Sequence, residues 1–189
     1  MRQLKAKTPH LLVEVLTPDF GGVVERVNEV ALSGLDVFAH NVETVERLTP
    51  RVRDRRAGYQ QTMNVLRAAK AANPALVTKS SIMLGLGETD DELLDCMDDL
   101  READVDVLTL GQYLQPTSNH LPVDRFVSPD EFERYRKWGL EKGFKEAMNN
   151  GVLAGFPMDS MSVELLDGSY HNVDSDQLSF EQAAKFAYR

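Results

Sequence analysis

Short apolar runs alternate with helical stripes along the first two thirds of this sequence, and that alternation leaves few folds open. Residues 11–16, Leu-Leu-Val-Glu-Val-Leu, are β-rich and close on Thr17-Pro-Asp-Phe-Gly-Gly22, a turn cluster. Val23, Val24, Val27, Val30 and Ala31 then recur at helical spacing as far as Ser33-Gly34. A second run, Leu35-Asp-Val-Phe-Ala-His40, leads into polar residues 41–44 and a basic segment from Arg47 to Arg56. The next helix carries Tyr59, Met63, Leu66 and Ala69 and ends near Asn73-Pro74. A third run over 77–84 ends in Gly85-Leu-Gly87 and opens into a helix with Thr89 and Glu92 in capping-box spacing. That helix bears the stripe Leu93, Cys96, Met97, Leu100, and a fourth strand, Val105-Asp-Val-Leu-Thr-Leu110, follows it. Four strands alternating with three helices predict right-handed β-α-β crossovers and a parallel sheet, hence an α/β fold.

In a parallel sheet, polar residues at the carboxyl ends of the strands gather on one rim, and ligands bind there. The candidates by position are Asp19, His40, Asn41, Glu43, Glu88, Gln112 and Gln115. Gly85-Leu-Gly87 reads in two ways: as a turn that lets a ligand approach the backbone, or as punctuation between elements. His40 is equally readable as a loop histidine or as a ligand.

From residue 128 one more helix follows, and after it the grammar changes to that of a hairpin. Ser128-Pro-Asp-Glu131 is a helix start, with Phe132, Tyr135, Trp138, Phe144, Ala147 and Met148 along the helix and Asn149-Asn-Gly151 to end it. Residues 162–166 alternate, Asp167-Gly168 is a hairpin turn signal, and residues 169–173 follow, with a last helix after Asp174 or Ser175. Hairpins seldom continue a parallel sheet, which places a unit boundary near 141–151. The result is a small α+β segment after the α/β part.

Of the 189 residues, 42% are apolar and 27% charged, as in ordinary soluble domains. A net charge of −9 argues against broad binding to a nucleic-acid backbone. No run approaches the length of a membrane span, and the first residues lack an apolar signal core, so no membrane role and a cytoplasmic location are expected. The lone Cys96 excludes an internal disulfide and, by itself, any multi-cysteine metal site.

Four ordered blocks resemble the later part of lipoyl synthase, a radical S-adenosylmethionine family: Val13-Glu-Val-Leu-Thr-Pro-Asp-Phe20, Phe38-Ala-His-Asn-Val-Glu-Thr44, Thr78-Lys-Ser-Ser-Ile-Met-Leu-Gly-Leu-Gly-Glu-Thr89 and Leu110-Gly-Gln-Tyr-Leu-Gln-Pro-Thr117. From about residue 141 to the end the chain resembles domain IV of elongation factor G, through residues 147–160 and Asp167-Gly-Ser-Tyr-His-Asn-Val-Asp-Ser-Asp176. The chain therefore reads as a chimera, 1–145 from the first family and 146–189 from the second. The first resemblance implies a partial parallel (β/α) barrel of radical-SAM type with about four strands. It implies S-adenosylmethionine beside a 4Fe-4S cluster, and insertion of two sulfur atoms into the octanoyl chain of a lipoyl carrier domain. Carried onto this sequence, Ser81, Met83, Gly85 and Glu88 fall on the adenine side. Asn41 and Glu43 fall near the ribose or amino-acid moiety, Lys79 near the carboxylate, and Gln112, Leu114 and Gln115 in the pocket wall. A solvated rim is the alternative for these residues.

The family's cluster cysteines belong upstream of residue 1, and Cys96 alone cannot hold a cluster. The chain by itself is thus expected to be inactive, which leaves its standing as an enzyme open. The second resemblance implies a ribosome contact at His171. The sequence has no phosphate-binding loop to drive such a contact through a nucleotide cycle. A ribosome-binding fragment, or a chimeric product without a selected role, is the alternative function. Open sheet edges further predict self-association.

Overall fold

A strand satisfies its backbone groups by pairing with its neighbours, and the computed structural model describes that pairing for residues 1–148, with side chains through 142. In chain order the elements are α1 (Arg2–Lys7), β1 (Glu14–Leu16), a 3₁₀ turn (Phe20–Gly22), α2 (Val24–Ala31), β2 (Val37–Ala39), a second 3₁₀ turn (Glu46–Leu48), α3 (Thr49–Val52) and α4 (Tyr59–Ala72). β3 (Val77–Leu84), α5 (Asp90–Glu102), β4 (Val107–Gln112) and α6 (Pro129–Met148) complete the order. The four strands form one parallel sheet in the order β1-β2-β3-β4, as a partial (β/α) barrel requires.

The expected first strand is shorter than its β-rich sequence. Pairing with β2 starts only at Glu14, and Leu12 is 80% exposed. The fourth strand lies two residues later than its apolar run, because β3 continues to Leu84 and draws its partner to Gln112.

The amino ends of the strands are fixed twice by the same device. Asp36, just before β2, accepts the Val13 N–H at 2.7 Å and pairs with Lys5. Asp106, just before β4, accepts the Thr78 N–H at 2.8 Å and pairs with Lys70 at 2.5 Å. Each aspartate joins the start of its own strand to the start of the one before it in sequence.

One face of the sheet is closed. Val27 and Ala31 of α2 and Val65 and Ala69 of α4 cluster with Leu35, Phe38 and Leu76. α5 is amphipathic and buries Leu93, Cys96, Met97 and Leu100. Along β3, Thr78, Ser80, Ile82 and Leu84 are buried, while Val77, Lys79, Ser81 and Met83 are only partly so. That strict alternation marks a strand covered on one side. On the other side, Lys79 reaches Glu14 of β1 across the sheet at 3.1 Å.

The chain divides into two compact units, Met1–Val127 and Ser128–Arg189. Of the second, α6 begins with the expected capping box: the Glu131 N–H donates to Ser128 Oγ, and the Ser128 N–H donates to Glu131 Oε2 at 2.9 Å. Tyr135 and Trp138 lie 5.2 Å apart, with Arg134 over both rings. The expected hairpin, the last helix and His171 lie outside the described residues. Among the described residues no helix is long and apolar enough to cross a membrane.

Phe38 is fully buried between strand and helices. Phe38→Ala is expected to lower unfolding stability by about 3–5 kcal/mol in a urea titration, whereas Leu12→Ala should stay within about 0.5 kcal/mol.

Candidate functional site

The carboxyl end of β2 departs from regular pairing. Ala39 faces Lys79 and Glu43 faces Ile82, so β2 advances four residues while β3 advances three. The extra residue makes a β-bulge, a feature that re-aims side chains at the ends of strands. The His40 N–H donates to the Lys79 carbonyl and the Glu43 N–H to the Ser81 carbonyl. Between them the Val42 N–H would be left without a strand partner, and Ser80 Oγ accepts it at 3.0 Å. Glu43 itself takes φ +70°, and its carbonyl accepts the Met83 N–H at 2.8 Å. The bulge buries Val42 and Thr44 and leaves Asn41 and Glu43 partly exposed. Neither of those two side chains hydrogen-bonds to a described residue. The Thr44 hydroxyl, fully buried, also has no partner among the described residues.

His40 has a different role. Its Nδ1 lies 2.9 Å from the Thr17 carbonyl, which can only accept, so Nδ1 carries the proton. Its Nε2 lies 3.4 Å from Thr62 Oγ1, and that hydroxyl accepts from Arg53 at 2.9 Å and so turns its own proton to the ring. Burial holds His40 below the ordinary imidazole value, and the Arg53 charge adds to this. Of its two readings, the loop histidine holds: both nitrogens are occupied by the protein. Burial alone would raise Asp19, but the Gly21 N–H and the Gln61 amide outweigh it and hold the carboxyl below its usual range. Sequence reasoning missed Arg53, Gln61 and Thr62, because their partners lie in other elements and no local spacing signals them.

The glycine turn is also engaged by its own chain. Both oxygens of Glu88 accept N–H groups, from Gly85 at 2.7 Å and from Leu86 at 2.9 Å. A close backbone approach does occur here, but the visitor is residues 124–125: the Asp124 N–H donates to the Gly85 carbonyl. At φ +93°, a Cβ on Gly85 would stand 2.3 Å from the Arg125 carbonyl oxygen. Gln112 locks the same segment, donating to the carbonyls of Leu84, Tyr113 and Arg125 and accepting the Val127 N–H at 2.8 Å. Gln115 donates to the His120 carbonyl, and Leu114 is 67% exposed. Lys79, Ser81 and Met83 share the uncovered face of β3, with Lys79 paired to Glu14.

Among the described residues Asn41 and Glu43 therefore keep free polar capacity at the rim, next in sequence to a buried hydroxyl without a partner there. That donor set fits a polar small molecule. It does not fit an iron–sulfur cluster. Cys96 is 1% exposed, burial pushes its thiol up to about 12, and the described residues contain no group of three metal donors.

The model of the Radical SAM superfamily matches residues 1–100, and that of elongation factor G domain IV matches 131–189. The chain is 63% identical over 143 residues to a lipoyl synthase of Marinobacter nauticus, covering 76% of this chain and 41% of that protein. Similar values hold for a mitochondrial lipoyl synthase of Uncinocarpus reesii, 58% over 142 residues and 34% of its length. The chloroplastic lipoyl synthase of Chlamydomonas reinhardtii is 62% identical over 189 residues, covering 99% of this chain and 42% of that protein, so the likeness there runs through the tail. The chain spans less than half the length of these relatives. A solved radical S-adenosylmethionine methyltransferase from Kitasatospora setae, with cobalamin and a [4Fe-4S] cluster bound, aligns at TM-score 0.45 and 16% identity over 60% of this chain and 23% of that one.

A neutral, buried His40 couples stability to pH. The unfolded chain takes up a proton at about 6.5, which the folded chain resists, so stability falls as pH drops through that value. The melting temperature should decline from pH 7.5 to 5.5, and His40→Asn, whose amide replaces the Nδ1–H donor, should flatten that slope. An unchanged slope in the variant would refute the assignment.

Proposed function

Since this chain belongs to the radical SAM superfamily, we propose that its carboxyl-end rim binds S-adenosylmethionine and that the chain contributes this rim to lipoyl synthase chemistry, the insertion of two sulfur atoms into a protein-bound octanoyl chain. The observation that carries the reading is the bulge after β2, which leaves Asn41 and Glu43 with unused hydrogen-bonding groups at the end of a parallel sheet. Asn41 can donate to and accept from a ribose or carboxylate, and Glu43 can accept from hydroxyl or ammonium groups. Lys79 reaches a carboxylate only by leaving Glu14. Ser81 and Met83 supply the floor on the same face, while Gly85, Glu88 and Gln112 hold the rim's shape and Leu114 and Gln115 edge it. S-adenosylmethionine supplies the radical chemistry when bound beside a 4Fe-4S cluster. The thiolates for that cluster are not in this sequence and come from another stretch of polypeptide, so the chain alone binds without turnover. The octanoyl group arrives on a lipoyl carrier domain. Among the described residues β1 and β4 pair on one side only, and strand edges of that kind favour self-association.

The domain IV match at 131–189 favours a second reading, in which the junction near residue 145 joins two families and His171 meets the ribosome. The Chlamydomonas alignment through the tail weighs against it. On the first reading the chain does not sediment with ribosomes; sedimentation abolished by His171→Ala would establish the second.

Calorimetric titration with S-adenosylmethionine tests the main reading. Asn41→Ala and Glu43→Ala should each weaken binding about tenfold, or about 1.4 kcal/mol, with the melting curve unchanged. A folded chain that binds nothing, or variants that bind as the parent does, would refute it.

A further inference from the structure

Residues 47–56 carry five arginines against one aspartate in a chain whose net charge is −9. They leave the carboxyl end of β2 through the second 3₁₀ turn and α3, so they sit beside the rim. Two of the arginines fasten the segment down at its ends. Arg47 pairs with Glu92 at 2.5 Å and donates to the Gly87 carbonyl at 2.8 Å, which ties it to the glycine turn. Arg53 donates to Thr62, the hydroxyl that in turn holds His40. Arg56 closes a local turn on Asp54 at 2.8 Å. Arg51 and Arg55 are exposed and make neither a hydrogen bond nor an ion pair with any described residue. The fold thus fixes the two ends of the segment to the site and leaves two guanidinium groups facing solvent.

We infer that residues 47–56 form a docking surface for an acidic protein segment, with Arg51 and Arg55 as its carboxylate-binding groups, placed so that a docked partner faces the rim. Guanidinium forks pair with carboxylates in a bidentate geometry. The patch is short and follows Glu43 and Glu46 in the sequence, so a small cluster of carboxylates fits it. A phosphate polymer needs a longer basic track than two free guanidinium groups supply. That the partner is the octanoylated carrier domain rests on the function proposed above; the surface itself does not. Exposed charges of this kind act mainly on association and its salt dependence.

Fluorescence anisotropy on the full chain tests this with two probes, a labelled decaglutamate peptide and an octanoylated lipoyl carrier domain. Both should bind at 50 mM salt, weaken on raising salt to 300 mM, and lose at least tenfold in affinity in the double variant Arg51→Glu, Arg55→Glu. S-adenosylmethionine binding should be unchanged in that variant, as should the melting curve. Peptide binding that is sensitive to the reversal, without carrier binding, would uphold the surface and refute the carrier as partner. Absence of peptide binding, affinity unaffected by the reversal, or stronger arginine-dependent binding of a single-stranded oligonucleotide would overturn the proposal.

Discussion

The rim depends on one hydrogen bond in the interior. A buried backbone N–H without a partner costs about 1–3 kcal/mol, and the bulge after β2 takes Val42 out of the ladder. The hydroxyl of Ser80, itself wholly buried, supplies the missing acceptor. With that bond made, β2 pairs again at Glu43, and Asn41 and Glu43 take their places at the strand's end. A polar residue on the covered face of β3 is then no anomaly in an apolar layer. Thr78 on the same face serves the backbone in the opposite sense, donating to the Asp104 carbonyl at 2.9 Å.

The second support is the meeting of residues 124–127 with the glycine turn. Gln112 reaches the carbonyls of both strand and returning segment, and Gly85 lets the two backbones touch. Glu88 closes the turn's N–H groups from within. These contacts use the hydrogen-bonding groups of the turn itself, so ligand capacity at this rim concentrates on the β2 side. Arg47 extends the same frame outward, because the carboxylate it binds, Glu92, is also half of the capping box of α5 and is held down to about 2 by that arginine. Turn, helix start and arginine segment form one connected set of polar contacts.

The alternation of strands with helices, and the helix faces, were legible because each rests on local periodicity. Leu93, Cys96, Met97 and Leu100 repeat at helical spacing and are buried as that spacing requires. Thr89 with Glu92 and Ser128 with Glu131 cap their helices at the offsets read from the sequence. The position of the candidate residues on the rim was legible, since strand ends converge in any parallel sheet. What each rim residue does was not. Glu88 and Asn41 look alike in sequence, as polar residues after strands, yet one is consumed by backbone donors two and three residues away and the other has no hydrogen bond to a described residue. The difference lies in contacts with distant segments: Ser80 lies 38 residues from Val42, and Arg125 lies 13 from Gln112. Periodicity carries no information at that range.

The central claim is that this rim is built before any ligand arrives. Amide hydrogen exchange by NMR on the ligand-free chain tests it most directly, at the N–H groups of Val42, Glu43, Met83, Gly85 and Leu86, each of which has a named acceptor. The account predicts that all five exchange far more slowly than in an unstructured peptide, alongside those of the β3 core. Exchange of these five at the free-peptide rate, with the rest of β3 protected, would contradict it and make the rim a product of binding.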